Sequence, residues 1–392
     1  MKIFLKKNED RRLNIGHQWI FSNEIEKTEG NISNGEVVEL YDSREKFLGK
    51  GFYNKNSLIA YRHLTDASEE INKTFFLKRI IKANELRTEI NPQRKTYRMV
   101  NSESDYLPGL IIDKFDYNYS IQIFCFGMDN FLKEITEILV TEFNANIIIE
   151  KNNNELRLLE GLQKSEKVLY NKTGIEDSSF EIKIYDIKFS IDLFKGQKSG
   201  FYLDQVENHF NLRKYIKKES KVLDLFCNEG GFALNAAFAG AKEIIAVDSS
   251  QYAIEKGIQN SKLNGFKNIN FICKDVFEYL NSPELMKKSF NVVILDPPSF
   301  TKSKKNVNSA IEGYIELNSS AMKILKPGSI LFTFSCSHHI DEKTFENIIA
   351  KSSMRAKRKV QVIDFKICSY DHPVLPQMSE TKYLKTYILK IN

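Results

Sequence analysis

Lys221-Val222-Leu223-Asp224-Leu225-Phe226-Cys227-Asn228-Glu229-Gly230-Gly231-Phe232-Ala233 is the stretch that decides the fold. Val222, Leu223, Leu225 and Phe226 make the near-continuous apolar run of a parallel strand covered on both faces, broken only by Asp224 near its carboxyl end. A carboxylate in that place needs a partner. Gly230 and Gly231 let the chain turn tightly and approach a ligand, and residues 232–239, apolar and alanine-rich, read as a helix packing back on the sheet. Beyond it a second strand, residues 243–248, ends in Asp248. In nucleotide-binding sheets an acid at that position hydrogen-bonds the ribose hydroxyls.

The glycine spacing discriminates among ligands. A dinucleotide needs the G-x-G-x-x-G turn and a nucleoside triphosphate needs G-x-x-x-x-G-K-[ST], and neither pattern is present. An acidic strand end (Asp224), a glycine pair and a ribose acid (Asp248) suit instead a ligand with a cationic amino-acid tail and an adenosine, which describes S-adenosylmethionine. The competing reading is an ordinary α/β turn with two surface acids.

At 392 residues the chain exceeds the size at which one core stops growing, so two or three domains are expected. No apolar run approaches the roughly 18 residues of a membrane span, and residues 1–10 lack a secretory signal, so a cytoplasmic location is expected. Cys125, Cys227, Cys273, Cys336 and Cys368 are odd in number and scattered, without a C-x-x-C pair, which points to reduced thiols and away from a zinc site. The net charge of +6 favours a polyanionic partner over an acidic protein.

Residues 1–70 read as a small β-rich module, with strands at 35–42 and 47–53. Arg11, Arg12, His17, Trp19 and Phe21 mix cations with aromatic rings, the chemistry that contacts RNA phosphates and stacks on bases. A solvated basic edge with Trp19 in the core accounts for them equally well. A helix is expected over 73–89 from the spacing of its apolar residues. Residues 71–180 form a small α+β unit with one helical stretch at 129–143. Within it, Ser102-Glu103-Ser104-Asp105 reads as a solvated loop, Cys125 between two phenylalanines as core, and 164–179 as a polar crossover.

The third unit, 181–392, alternates strand and helix, the pattern of a parallel, doubly wound sheet. Before the glycine turn, residues 195–205 form a glycine-bounded loop that includes Gln197 and Phe201, whose amide and aromatic groups suit closing over a ligand. A third strand ends at Asp275, placed either to read an adenine amino group or to cap the helix that follows. The strand at 290–295 delivers Asp296-Pro297-Pro298-Ser299-Phe300, a stiff corner that presents a carboxylate and a ring at the sheet edge where functional residues belong. The strand at 329–334 ends in Ser335-Cys336-Ser337-His338-His339, so Cys336 leaves the same edge among hydroxyls and imidazoles. The two histidines have no matching ligand cluster, and no metal is expected. Two basic stretches, 301–305 and Lys351, Arg355, Lys357, Arg358 and Lys359, are candidates for RNA backbone contact.

Taken together, residues 195–205, the turn around Gly230, Asp296-Pro297-Pro298-Ser299-Phe300, Phe334-Ser335-Cys336-Ser337, Asp371-His372-Pro373-Val374 and Tyr383-Leu384-Lys385 resemble the large-subunit ribosomal RNA cytosine-5 methyltransferases that carry an N-terminal PUA RNA-binding domain. The resemblance spans essentially the whole chain. It implies an α/β protein: a PUA domain (1–70), a central α+β domain (71–180) and a Rossmann-like class I methyltransferase domain (181–392), often as a homodimer. S-adenosylmethionine is the implied cofactor and ribosomal RNA the implied partner. Gln197, Phe201, Asp224, Asn228, Gly230, Gly231, Asp248, Asp275 and Asp296 are the expected cofactor contacts. One departure stands in the turn, where Asn228-Glu229 replaces the family's common aromatic-threonine pair.

Carbon 5 of cytosine is too weak a nucleophile to take a methyl group unaided, so the base must be activated covalently. Cys336 is the expected nucleophile at carbon 6, with Asp296 on the base's Watson-Crick edge and Phe300 stacking on the ring. Two rival readings remain open: methylation of a ring or exocyclic nitrogen, which needs no thiol, and an RNA-binding protein whose methyltransferase domain is inactive.

Overall fold

The computed structural model describes residues 1–172, 174, 179–194, 196, 200–301 and 304–392. They form two compact units. One comprises Met1–Ile182, Ile191–Leu203 and Tyr370–Thr381, and the other Lys183–Ser190, Asp204–Ser369 and Lys382–Asn392.

The first unit holds two sheets. Six short strands between Lys2 and Thr65 make the first, including Val37–Tyr41 and Phe47–Tyr53 where strands are expected. Ile3, Leu5, Ile20, Val38, Leu40 and Tyr61 close its core. The expected helix runs Lys73–Ile90, its start fixed by the Asn72 side chain, which accepts from the amides of Thr74 and Phe75. A five-stranded sheet follows, covered by that helix and by Leu132–Thr141. The helical stretch expected at 129–143 is broken into Phe126–Asp129 and Leu132–Thr141.

Two expectations fail in this unit. Part of 164–179 is no crossover: Ser165–Asn171 is an edge strand paired antiparallel with Ile147–Asn152. Its side chains are largely solvent-facing, so it carries none of the apolar alternation that marks a strand. Nor is 102–105 a solvated loop. Glu103 is buried and takes hydrogen bonds from Trp19 Nε1 (2.9 Å) and the Gln18 side-chain amide, which donates to its carbonyl (2.8 Å). Arg62 pairs with both Glu103 (3.3 Å) and Glu160 (2.9 Å), and Arg87, fully buried, forks onto Asp105. These acids look solvated in sequence because their arginine partners lie far away along the chain. The same contacts engage Trp19, over whose ring Arg62 sits, while Arg12 stacks on Phe21.

The second unit is built on a seven-stranded sheet: β1 (Lys221–Leu225), β2 (Glu243–Asp248), β3 (Ile269–Cys273), β4 (Phe290–Leu295), β5 (Leu325–Ser335), β6 (Val360–Lys366) and β7 (Lys385–Ile391). Their order is β3-β2-β1-β4-β5-β7-β6. The first five are parallel. The parallel alternation stops there, because β7 inserts antiparallel between β5 and β6. Both faces are covered: Leu223, Leu225, Ile245, Val293 and Leu331 point into one layer of helices, and Val222, Ile244, Val292, Ile294 and Phe332 into the other. That double burial explains why β1, β2 and β4 read as continuous apolar runs. It also sends the carboxyl ends of all five parallel strands to one edge.

Candidate active site

At that edge the register sets β1, β2 and β4 side by side. Leu225 pairs with Val247 and with Leu295, the Cys227 amide donates to Val247 O, and the Asp296 amide reaches Leu225 O. Asp224, Asn228, Gly230, Gly231, Asp248, Asp275, Asp296 and Cys336 therefore lie on strand ends or turns of a single sheet edge. Gln197 falls outside the described residues. Phe201 belongs to the first unit, where it is buried.

The turn after β1 is held in an unusual backbone. Phe226, Asn228 and Gly230 all have positive φ (63°, 46° and 86°), a conformation in which non-glycine residues persist only when surroundings enforce it. Asp248 is one enforcer: its Oδ2 accepts from the Asn228 amide (2.9 Å) and its Oδ1 from the Ser250 amide (2.9 Å). Gly231 has no room for a side chain, since a Cβ there would lie 2.3 Å from the His209 ring. His209 packs edge-on to Phe232 at 4.4 Å, and burial pushes its pKa down to about 3, so it is neutral. Helix Gly231–Phe238 follows, as the alanine-rich run leads one to expect.

Asp224 is fully buried at the head of this turn. Its Oδ2 accepts from the Ala233 amide (2.9 Å), while Oδ1 has no hydrogen-bond partner among the described residues. Burial, opposed by that amide and reinforced by Asp296 and Asp248, pushes its carboxyl up to about 8. An orphaned buried carboxyl oxygen is costly, and a cationic amino group is the partner it lacks. The turn thus fits the amino-acid tail of S-adenosylmethionine, and Asp248 stands on the neighbouring strand end. Asp275 caps helix Val276–Leu280 through the Glu278 amide (3.0 Å), one strand further along.

Across β4 the second half of the site is assembled. Cys336 is half-buried, and its Sγ lies 3.7 Å from Pro297 O, against the stiff corner that begins at Asp296. Ser299 Oγ and Ser337 Oγ are 3.0 Å apart, and the buried Tyr314 hydroxyl is 3.2 Å from Ser337 Oγ. Burial pushes the Tyr314 hydroxyl up to about 12, so it stays protonated. These hydroxyls hold the proline corner and the cysteine loop in register. Asp296 Oδ2 accepts from Gln205 Nε2 (2.9 Å), whose Oε1 in turn accepts from Asn208 Nδ2 (2.8 Å). Phe300 is half-buried and packs on Tyr314 at 4.5 Å and Phe277 at 6.1 Å. Cys227, another thiol at this edge, is buried beside Asp224 and Asp248, and its pKa is raised well above the ordinary thiol range. Cys125 lies in the core of the first unit, where burial pushes its thiol up to about 12.

Asn208 and Tyr314 were not read as site residues from sequence, whereas Gln205 ends the loop expected to close over a ligand and Lys385 falls in one of the motifs that carry the resemblance. Gln205 and Asn208 carry a signal in retrospect, two amides one helical turn apart just before β1. The basic stretch around Arg358 lies away from the site: the Arg358 guanidinium donates to Leu325 O at the amino end of β5, whereas Cys336 follows its carboxyl end. Lys302 is outside the described residues. Among the described residues, no cluster of three or more His, Cys, Asp or Glu is arranged to hold a metal ion, and no helix is long and apolar enough to cross a membrane.

Two family models match the chain, a PUA-like domain over residues 3–66 and a methyltransferase domain over 216–386. Among curated proteins, ribosomal RNA large subunit methyltransferase I of Vibrio cholerae is 36% identical over 395 residues, covering 99% of each chain. The protein of the same name from Aeromonas hydrophila is 36% identical over 393 residues, covering 99% of this chain and 98% of its own. A Streptococcus mutans protein described as a SAM-dependent methyltransferase shares the fold over the full length of both chains, with a TM-score of 0.83 at 22% identity. A further structure, described as a methyltransferase complexed with SAH, matches over the same extent with a TM-score of 0.85, also at 22% identity. With an N-terminal PUA-like domain, a class I methyltransferase fold and full-length identity above a third, the chain belongs to the ribosomal RNA large subunit methyltransferase I family.

Proposed function

We propose that this protein methylates carbon 5 of a cytosine in large-subunit ribosomal RNA through a covalent adduct on Cys336. The observation that carries the reading is the placement of Cys336: a half-buried thiol at a strand exit, against the Asp296–Pro297 corner, on the edge that also holds the cofactor turn. S-adenosylmethionine, when bound, supplies an electrophilic methyl group. Asp224 meets the cationic tail, Asp248 the ribose hydroxyls, and the tight Gly230-Gly231 turn admits the ligand against the backbone.

The chemistry then falls to Cys336 and Asp296. The Cys336 thiolate adds to carbon 6 of an extruded cytosine, forming a C–S bond and leaving carbon 5 electron-rich enough to take the methyl group. Loss of the carbon 5 proton and breakage of the C–S bond restore the aromatic ring and the thiolate. Asp296, oriented by Gln205, engages the Watson-Crick edge and in its protonated form gives a proton to ring nitrogen 3 as the C–S bond forms, taking it back when that bond breaks. For the domains, we read 1–70 as the RNA-binding module, 71–180 as its α+β companion and 181–392 as the catalytic domain, supported by the extents of the two matching family models.

Nucleoside mapping of large-subunit ribosomal RNA from cells lacking the protein tests the reading. One 5-methylcytidine should disappear and return on complementation. Loss of an N-methylated nucleoside in its place would transfer the assignment to nitrogen methylation.

A further inference from the structure

Lys385 is 4% exposed, an unusual fate for a lysine, which is rarely buried without an ionic partner. None of the ion pairs among the described residues includes it. Its ammonium instead donates to two carbonyls, Ser337 O at 2.8 Å and Ile340 O at 2.6 Å. Both belong to the loop that leaves β5, and Ser337 is the residue next to Cys336. The backbone placement is as specific: Lys385 is the first residue of β7 and sits directly opposite Ser335, the last residue of β5. A fixed positive charge is thereby built under the cysteine loop.

The charges around it are of both signs. Asp341 and Glu342 act on Lys385 from the start of the helix after the loop, Cys368 acts from the segment following β6, and Cys336 acts most strongly of these neighbours. Asp296 heads the proline corner whose Pro297 carbonyl lies 3.7 Å from the thiol, and the protonated Tyr314 comes from helix Val307–Ile324. A carboxylate there opposes a thiolate, and Lys385 is the cation that engages the cysteine loop among the described residues. Burial lowers the Lys385 pKa to about 8, which still leaves it mostly charged at neutral pH.

We propose that Lys385 is a positioning residue for Cys336, its two carbonyl hydrogen bonds fixing the 337–340 loop and its charge stabilising the thiolate. This rests on the reading of Cys336 as the nucleophile, but its test needs neither RNA nor methyl transfer. The rate of iodoacetamide labelling of the Cys336 peptide is followed against pH by mass spectrometry, with the exposed Cys273 as internal control. In Lys385→Met the Cys336 labelling midpoint moves to higher pH by about one unit while that of Cys273 stays, and Lys385→Arg restores most of the shift. An unchanged Cys336 midpoint in folded Lys385→Met would overturn the proposal. The coupling is reciprocal, so a second measurement leaves Lys385 in place and avoids any failure of its variants to fold. With labelled lysine, the NMR titration of Lys385 moves to lower pH in Cys336→Ser than in the wild type, and identical titrations would contradict the coupling. If the coupling holds but no RNA adduct forms on Cys336, the cytosine-5 reading fails alone.

Discussion

Gln205 Nε2 donates to Asp296 Oδ2 at 2.9 Å, and Asn208 fixes the amide's orientation by donating to Gln205 Oε1 at 2.8 Å. Asn208 is buried and also lies 3.3 Å from Ile367 O and 3.4 Å from Thr386 Oγ1, so the carboxylate at the proline corner is tied through two amides to β7. Asp296 is thus held by an amide relay before any base arrives.

Breaking that relay lowers the rate. Gln205→Ala removes the amide that orients Asp296, and kcat should fall about tenfold, the equivalent of one ordinary hydrogen bond at about 1.4 kcal/mol. Cofactor affinity should change little. Single-turnover kinetics at saturating cofactor checks this, and a wild-type rate would remove Gln205 from the site.

Asp248→Ala should weaken S-adenosylmethionine binding by about 1–3 kcal/mol, because it removes the acceptor for the ribose hydroxyls and releases the Asn228 amide that keeps the turn in its left-handed backbone. Calorimetry on the folded variant measures it. An unchanged dissociation constant would dissociate Asp248 from cofactor binding.

Cofactor binding should release a proton. Burial pushes the Asp224 carboxyl up to about 8 in the free protein, so at pH 7 it is mostly protonated. An ammonium group placed against it favours the carboxylate. Affinity should therefore rise with pH up to about 8 and level off beyond. Calorimetry at pH 6.5 in buffers of different ionisation enthalpy reports the proton count directly, and Asp224→Asn should abolish the release. Buffer-independent enthalpies in the wild type would contradict the ionic pairing.

The first unit carries its own pH signature. Asp371 is fully buried, and although burial alone would raise its pKa, Arg94, His372 and the Arg98 amide outweigh it and hold the carboxyl down at about 2. A folded pKa below the unfolded 3.8 means the stabilisation is present above pH 3.8 and is lost as pH falls through about 2. Asp371→Asn should cost about 3–5 kcal/mol at neutral pH by leaving the buried Arg94 without its counter-charge. The penalty should shrink at low pH. Thermal unfolding from pH 2 to 7 follows both, and a pH-independent difference would exclude ionic stabilisation.

The catalytic sheet was legible because double burial writes long apolar runs, and because the acids ending them stand out against that background: Asp224, Asp248 and Asp296 all lie where those runs place them. Edge strands leave no such trace, which is why Ser165–Asn171 read as a linker. Long-range charge pairing leaves none either. Glu103 and Asp105 passed for solvated because their partners are set by the fold and not by neighbours in sequence.

The central claim is the covalent role of Cys336, and trapping tests it most directly. Large-subunit ribosomal RNA transcribed with 5-fluorocytidine replaces the carbon 5 proton at the target with fluorine, which cannot leave as that proton does. Incubated with enzyme and S-adenosylmethionine, it should give a complex that survives denaturation, with the RNA fragment mapped by mass spectrometry to Cys336. Cys336→Ala should form no complex and transfer no methyl group while binding the cofactor normally. Absence of a trapped complex, together with near wild-type methylation by Cys336→Ala, would contradict the cytosine-5 mechanism.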